Sequence, residues 1–177
     1  MKTKLLVIFF SAFISGFSQE KTELANYGPV YAIENADFKT DLNQEFKAVF
    51  DVSKSAKKQG ELNINFVTVA RFLRLHKASA LENNSVKAAL VVHGSAIFDL
   101  LNHKGYADYH GQENLKNPNY ALLSVLSDHD VDIILCGQTS SYRSVDKIKL
   151  HPKVKVALSA MSAHIDLNKQ GYTLINF

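Results

Sequence analysis

The sequence predicts an α/β fold, a three-layer sandwich in which a mostly parallel five-stranded sheet lies between two helical layers. Strand-like and helix-like segments alternate from residue 46 onward, and this order is typical of consecutive βαβ units. One strand-like segment, at 86–92, is a nearly continuous apolar run, which is typical of a strand covered on both faces. The chain has 177 residues, of which 46% are hydrophobic, so it is long enough for one such domain.

The first half of the domain contains two predicted strands and one long predicted helix. Residues 46–52 alternate in polarity and are rich in β-branched and aromatic side chains, which favours a strand. A polar connection at 53–60 follows, and then apolar residues recur every three or four positions, which predicts a helix with one buried face. We expect Glu82-Asn-Asn-Ser85 to end this helix. Its predicted buried face consists of Leu62, Phe66, Val69, Leu73 and His76.

The second half begins with a polar segment at 102–117 that shows no regular pattern. A connection of this length is uncommon in a compact domain, so we expect a functional lid or a subunit contact. Asn117 and Pro118 are suited to the N-cap and the first position of a following helix at 120–126. The remaining predicted elements are a short helix at 95–101, strands at 131–136, 154–158 and 172–177, a polar connection with at most one helical turn at 140–150, and a helix at 159–170.

The N-terminus is typical of a secretory signal peptide. Lys2 and Lys4 precede an apolar run, and the small residues Gly16 and Ser18 occupy the −3 and −1 positions of a cleavage site before Gln19. The run is shorter than the roughly 20 apolar residues that span a bilayer. We therefore expect export to the periplasm or medium without stable membrane insertion after cleavage; an uncleaved anchor is the alternative. The predicted organisation is a signal peptide at 1–18, an N-terminal arm at 19–43 and one α/β domain at 44–177.

Charge and composition exclude several classes of function. The formal net charge is +3, and loss of Lys2 and Lys4 with the signal peptide lowers it further, which disfavours binding to nucleic acid. The single cysteine excludes an internal disulfide and a multi-cysteine metal cluster. His103 and His110 lack a recognised ligand spacing, so we predict no metal site. We also predict no cofactor, because no phosphate loop, dinucleotide glycine pattern or nucleophile elbow occurs.

Polar and reactive residues follow two of the predicted strands. The carboxyl ends of parallel strands meet at one edge of a sheet, where ligands usually bind. We expect Cys136 to be the reactive group there, with His93, Gly94, Gly137 and Gln138 as substrate-binding residues. The two glycines allow sharp turns whose N–H groups can hold an anion or favour a thiolate. A protonated His93 close to the sulfur would have the same effect.

Each of these residues also has a structural interpretation. An unpaired cysteine such as Cys136 is often a small buried apolar residue, and His93 would then be a hydrogen-bonded structural histidine. Three other histidines are expected in structural positions: His76 at the edge of the core, His129 in a surface turn and His151 in an exposed loop.

Several segments carry motifs of a known family. They are Val91-Val-His-Gly94, Ile134-Leu-Cys-Gly-Gln138, Val154-Lys-Val-Ala157 and Gly171-Tyr172. With the predicted first strand and helix, they resemble the DsrE/DsrF-like proteins, in particular their exported single-domain branch, over nearly all of residues 45–177. The resemblance implies a DsrE/flavodoxin-like α/β fold with a parallel five-stranded sheet, assembled as dimers, trimers or hexamers.

The resemblance also suggests a chemistry. Cytoplasmic members of the family pass sulfur between carriers as a cysteine persulfide, and this role would belong to Cys136, which matches the strand-end position of the branch. His93 and Gln138 match motif positions. The first hypothesis is an exported protein that handles sulfur or thiols, with further copies of the chain and a sulfur donor or acceptor protein as partners. The alternatives are a non-catalytic oligomeric module that binds a small ligand, with Cys136 lining its crevice, and a purely structural oligomer.

Overall fold

Five parallel strands form one sheet in the computed structural model, which describes residues 23–78 and 86–176. Their order across the sheet is β4-β3-β2-β1-β5. This confirms the predicted α/β class and all five strands, with the first two at the predicted bounds. The strands are β1 (Phe46–Val52), β2 (Val86–Val92), β3 (Asp132–Cys136), β4 (Val154–Ala157) and β5 (Thr173–Asn176).

Helices cover both faces of the sheet. The larger core packs α1 and α3 against one face and includes Phe50, Phe66 and Leu90, while α5 packs against the other through Ala163 and Leu167. Because β4 and β5 are at opposite edges of the sheet, the connection that contains α5 must cross the whole second face. The helices are α1 (Ile64–Ala78), α2 (His103–His110), α3 (Tyr120–Asp128), α4 (Gly137–Tyr142) and α5 (Ala160–Lys169), with short 3-10 segments at Leu24–Asn26, Gly94–Leu100 and Lys147–Lys149.

The segment 102–117 is not irregular, and that prediction is wrong. It contains α2, whose first turn is capped by the Asn102 side chain as it accepts a hydrogen bond from the N–H of Gly105. Gly111 ends the helix in the left-handed conformation, with φ of 62°. These two capping residues define the helix although it buries little apart from Tyr106.

The helix predicted after Pro118 is confirmed as α3, but the predicted N-cap is wrong. The N-cap is Asn119, and its side chain makes no capping hydrogen bond. Asn117 is buried instead, and its amide donates to the carbonyl oxygens of Asp99 at 2.9 Å and Leu101 at 2.6 Å. The amide nitrogen therefore links two chain segments, while Oδ1 of Asn117 accepts the N–H of Asn119, one residue before the helix, at 2.8 Å.

The helix predicted at 159–170 is confirmed as α5. Ser159 is its N-cap and forms a capping box with Ser162. The polar connection predicted at 140–150 differs from the structure at its start, because α4 begins at Gly137, directly after Cys136. Two helices thus start beside the carboxyl ends of β3 and β4.

Two of the three structural histidines lie as predicted. His76 is half-buried at the edge of the core, where its Nδ1 is 2.8 Å from the carbonyl oxygen of Phe72, and His129 lies in the turn that ends α3. The prediction for His151 is wrong, because this side chain is 2% exposed. Its main-chain N–H donates to the carbonyl oxygen of Leu100 at 2.7 Å, and this bond holds the loop against the core.

The described part of the N-terminal arm packs on α1. Leu24 and Tyr27 are buried in the larger core, and the side chain of Arg71 donates to the carbonyl oxygen of Pro29 at 3.0 Å. The predicted signal peptide at 1–18 and the predicted helix stop at 82–85 lie outside the described residues. Among the helices that the structure describes, none is sufficiently long and apolar to cross a membrane.

Candidate functional site

Three neighbouring strands present polar side chains to the same face of the sheet at their carboxyl ends. Side chains two positions apart on a strand point to the same side. Asp51, His93 and Cys136 therefore lie on the side of the sheet that α5 covers. The residues two positions before them pack against α5: Val49, Val91 and Ile134.

The strand register brings His93 and Cys136 together. Val92 on β2 pairs with Leu135 on β3. The next residue along each strand is His93 or Cys136, so these two residues are neighbours on strands about 5 Å apart. His93 remains extended, with φ of −148°, so the alternation of the strand continues through it. The imidazole and the sulfur thus lie at the carboxyl ends of two neighbouring strands, on the same face of the sheet.

The Cys136 sulfur is largely buried, with 6% of the residue exposed. Burial raises the pKa of the thiol, but hydrogen bonds to the thiolate outweigh it. The backbone N–H and the hydroxyl of Thr139 and the N–H groups of Ala160 and Gln138 lower the pKa of Cys136 below its usual range. Hydrogen bonds to the charged form of a group favour that form, so this environment stabilises a thiolate.

The local sequence explains why these donors converge. Gly137 lets the end of β3 pass close to β4, because a Cβ at this position would overlap the carbonyl oxygen of Ala157. Cys136 is the N-cap residue of α4, so the N–H groups of Gln138 and Thr139 in the first turn lie near its sulfur, and the capped start of α5 brings that of Ala160 near it as well.

Two other predicted site residues make contacts within the fold. The Gln138 side chain donates to the carbonyl oxygen of Leu158 at 3.3 Å, so its backbone N–H is the group that contacts the sulfur. Gly94 has φ of 58°, and a Cβ there would lie 2.5 Å from the carbonyl oxygen of Ser53. That oxygen accepts the N–H groups of Ser95 and Ala96, so Gly94 serves the turn after β2.

Two further residues complete the site. The carboxylate of Asp51 lies between two imidazoles: Nε2 of His93 is 3.1 Å from Oδ2, and Nε2 of His164 is 2.8 Å from Oδ1. The side chains are partly exposed, 19% for Asp51, 34% for His93 and 22% for His164. His164 cannot be assigned to this site from the sequence pattern, because it is 113 residues from Asp51 and reaches it only where α5 crosses the sheet.

The sequence matches the DsrE/DsrF-like family over residues 47–177. The chain belongs to the DsrE/DsrF-like family. The matched range contains all the site residues described above.

Solved structures agree on the fold of this DsrE/DsrF-like protein. A protein of unknown function from Methanobacterium thermoautotrophicum is 17% identical with a TM-score of 0.50, covering 75% of this chain and 100% of its own. The ychN protein from E. coli is 15% identical with a TM-score of 0.52 and the same coverages. Identities this low show the shared fold alone. No curated protein matches the sequence significantly.

In this DsrE/DsrF-like protein, hydrogen bonds to Asp51 link the side chains of His93 and His164. Within residues 23–78 and 86–176, no three His, Cys, Asp or Glu side chains are placed to hold a metal ion. Asp51 instead uses both carboxylate oxygens for the two imidazoles. The site therefore combines one sulfur surrounded by donors with a carboxylate that bridges two histidines.

Proposed function

We propose that this DsrE/DsrF-like protein handles sulfane sulfur or thiols through Cys136, as a carrier of a cysteine persulfide. The observation that supports the proposal is the convergence of four hydrogen-bond donors on one sulfur, which lowers the pKa of Cys136. The thiolate is the nucleophilic form of cysteine. A lowered pKa raises its fraction at neutral pH, so the thiol is suited to attack a sulfur donor.

The chemistry requires no cofactor. The Cys136 thiolate attacks the outer sulfur of a donor persulfide, R–S–SH. A new S–S bond forms at Cys136, the S–S bond of the donor breaks, and its electron pair leaves with R–S⁻. One S–S bond replaces another, so there is no net oxidation, and the resulting persulfide is a reversible state of cysteine. The N–H groups of Gln138, Thr139 and Ala160 are placed to hold the transferred sulfur.

An apolar stripe beside the site supports a protein partner. Leu158 lies just before the N-cap of α5, and Met161 and Ile165 lie on its first turns; the three residues are 78%, 73% and 57% exposed. They flank Ala160, whose N–H contacts the Cys136 sulfur. Apolar side chains grouped in this way are typical of interaction surfaces. We propose that the stripe receives a sulfur donor or acceptor protein, or a second copy of this chain in a homo-oligomer.

We also propose that the protein works outside the cytoplasm, as the first 18 residues suggest. A free thiol in an oxidising compartment needs shielding or use, and the 6% exposure of Cys136 is compatible with shielding. N-terminal sequencing of the protein recovered from the periplasm or medium should begin at Gln19. Recovery of the uncleaved chain from the cytoplasm would contradict export.

The direct test of sulfur handling is the intact mass of the mature protein after incubation with inorganic polysulfide. We expect a gain of one sulfur atom that a reductant removes, and no gain in Cys136→Ser. Because the chain has a single cysteine, the modified residue is unambiguous. An unchanged mass under conditions that convert glutathione to its persulfide would overturn the proposal.

A matched variant tests whether the donors around the sulfur matter. Thr139→Val removes the hydroxyl donor and preserves the side-chain shape, so we expect several-fold slower alkylation of Cys136 at neutral pH and an alkylation midpoint at higher pH. If wild-type Cys136 instead reacts slowly, with a midpoint at or above the free-cysteine value of about 8.5, the ligand-binding module is the better interpretation.

A further inference from the structure

We propose that Asp51, His93 and His164 form the acid–base group of this site. His93 gives and takes a proton during sulfur transfer at Cys136, and Asp51 and His164 hold His93 in position. This inference rests on the proposed function and extends it to two residues, Asp51 and His164, that the sequence motifs do not single out.

Helix α5 connects the sulfur to the carboxylate. The N–H of Ala160 contacts the Cys136 sulfur, and His164, one turn later on the same helix, contacts Asp51. One turn advances about 5.4 Å along the helix axis. Since β2 lies between β3 and β1, His93 occupies the position between the sulfur and the carboxylate.

The hydrogen bonds determine which ring nitrogen of His93 can exchange a proton. An ionised carboxylate only accepts hydrogen bonds, so the Nε2 atoms that contact Asp51 carry protons in both imidazoles. Nδ1 of His93 is therefore the ring nitrogen that can exchange a proton with a substrate. The His93 side chain is 34% exposed. Because both oxygens of Asp51 are occupied, the carboxylate is fixed in orientation and in turn orients the His93 ring.

The two imidazoles have different roles. Nδ1 of His164 is buried and has no hydrogen-bond partner among the described residues. This atom is therefore closed to a substrate, whereas Nδ1 of His93 belongs to a partly exposed side chain. His93 is thus the ring that can exchange a proton with a bound thiol. His93 is the catalytic residue, and Asp51 and His164 are positioning residues.

The proton step completes the sulfur transfer. As the S–S bond of the donor breaks, Nδ1–H of the His93 imidazolium gives its proton to R–S⁻, which leaves as R–SH. In the return step, neutral His93 removes the proton from an acceptor thiol, and the resulting thiolate attacks the outer sulfur of the Cys136 persulfide. No electrons are gained or lost overall, and His93 ends each full cycle protonated.

The strands and the helix beside His93 carry three titratable groups at this level among the described residues. They are Asp51 on β1, His164 on α5 and Cys136 on β3, and β4 contributes the uncharged Ala157 at the same level. The Lys155–Asp132 ion pair is on the same face, but Asp132 lies four residues before Cys136, about 13 Å along the strand. This pair therefore supplies a matched control.

The test is the rate of sulfur loading in His93→Gln and Asp51→Asn, compared with Asp132→Asn, from two donors. A general acid assists a thiol that leaves as a basic thiolate more than one that leaves as a weakly basic thiolate. His93→Gln and Asp51→Asn should therefore slow loading from an alkyl persulfide several-fold more than loading from an aromatic persulfide. Asp132→Asn removes the same charge from the same face and should slow neither. His164→Asn, which frees one oxygen of Asp51, should slow loading from the alkyl persulfide several-fold.

One further measurement separates this inference from the proposed function. The ring ¹⁵N resonances of His93 report which nitrogen of the neutral ring carries the proton, without any sulfur chemistry. Wild type should be the Nε2–H tautomer, and Asp51→Ala, which removes the acceptor, should mix the two tautomers.

A wild-type Nδ1–H tautomer, or equal slowing with both donors in a folded Asp51→Asn, would overturn the acid–base group even if wild type loads sulfur. If Asp51→Asn does not fold, His93→Gln provides the test: slowing confined to the alkyl donor supports the inference, and equal slowing overturns it. Wild type that loads no sulfur would overturn the proposed function alone, since the tautomer still decides the acid–base group.

Discussion

Two groups of histidines in this molecule have contrasting surroundings. At the strand ends, His93 and His164 share the carboxylate of Asp51. On the opposite face of the sheet, beside the start of α3, His103 and His151 each contact the ring of Tyr120, with ring centroids 4.3 Å apart and interplanar angles of 31° and 64°. We call the first group the carboxylate-bridged pair and the second the Tyr120 pair.

The surroundings of the Tyr120 pair favour the neutral form of both imidazoles, since the pKa values of His103 and His151 are both lowered, chiefly by burial. Nδ1 of His151 accepts the N–H of Lys153 at 3.2 Å, so Nε2 carries the proton and donates to the Ser124 hydroxyl at 3.0 Å. Burial, with the nearby charges of Lys153 and His103, lowers the pKa of His151 to about 4. Nδ1 of His103 likewise accepts a backbone N–H, that of Asn117, at 3.2 Å.

The comparison shows that the hydrogen-bond partner of an imidazole decides which of its ring nitrogens carries the proton. A backbone N–H can only donate, so it fixes a ring nitrogen as an acceptor and opposes protonation. A carboxylate can only accept, so it favours the protonated ring. In the Tyr120 pair both ring nitrogens of His151 have partners within the fold. In the carboxylate-bridged pair, Nδ1 of His93 is the nitrogen that we propose exchanges a proton with a substrate.

The largest expected effect is on stability. His151→Ala should lower the free energy of unfolding by about 3–5 kcal/mol, because it removes a buried ring and leaves the Lys153 N–H unpaired. His93→Ala should lower it by less than about 1 kcal/mol, since His93 is partly exposed and Asp51 keeps its bond to His164. Urea unfolding of both variants near neutral pH measures the difference. Equal losses would remove the distinction between the two groups.

The second expected effect is on the pH dependence of stability. The pKa of His151 in the folded state, about 4, is below the unfolded value of about 6.5. The unfolded chain therefore binds a proton more readily, so stability is fully present above about pH 6.5 and is lost as the pH falls towards 4. The full loss is of the order of 3 kcal/mol.

His151→Gln is the control for this pH dependence, because glutamine is polar but does not titrate. Thermal melts of wild type and His151→Gln across the same pH range should converge as the pH falls, since only wild type loses this contribution. Parallel curves would show that His151 does not titrate in this window.

The smallest expected effect concerns the sulfur site. Cys136→Ser should cost less than about 1 kcal/mol, because the hydroxyl oxygen can accept the hydrogen bonds made to the sulfur. Cys136→Val, similar in size but unable to accept them, should cost about 1–3 kcal/mol through unpaired donors. Chemical unfolding of the two variants compares them. If valine is tolerated better than serine, Cys136 is an apolar packing residue.

Local patterns were sufficient where the chain makes its own regular contacts. The strands at 46–52 and 86–92 have the predicted bounds because their polarity and apolar content report burial directly. The helix α2 was missed because it is defined by its caps, Asn102 and Gly111, and shows little apolar periodicity. His151 was misplaced because a histidine before a proline looks like a loop residue, while its burial depends on contacts with Leu100, Tyr120 and Ser124.

The sequence by itself determined the class of fold, the carboxyl ends of β1, β2 and β3, and the presence of His93 and Cys136 at two of them, because hydrophobic periodicity is a local property of the chain. Only the tertiary structure decided which groups surround them. The N–H of Ala160 lies near the Cys136 sulfur, and His164 hydrogen-bonds to Asp51. Both contacts arise because α5 must cross the sheet between two edge strands. Contacts between residues so distant in the chain depend on the packing of whole elements, which no local pattern records.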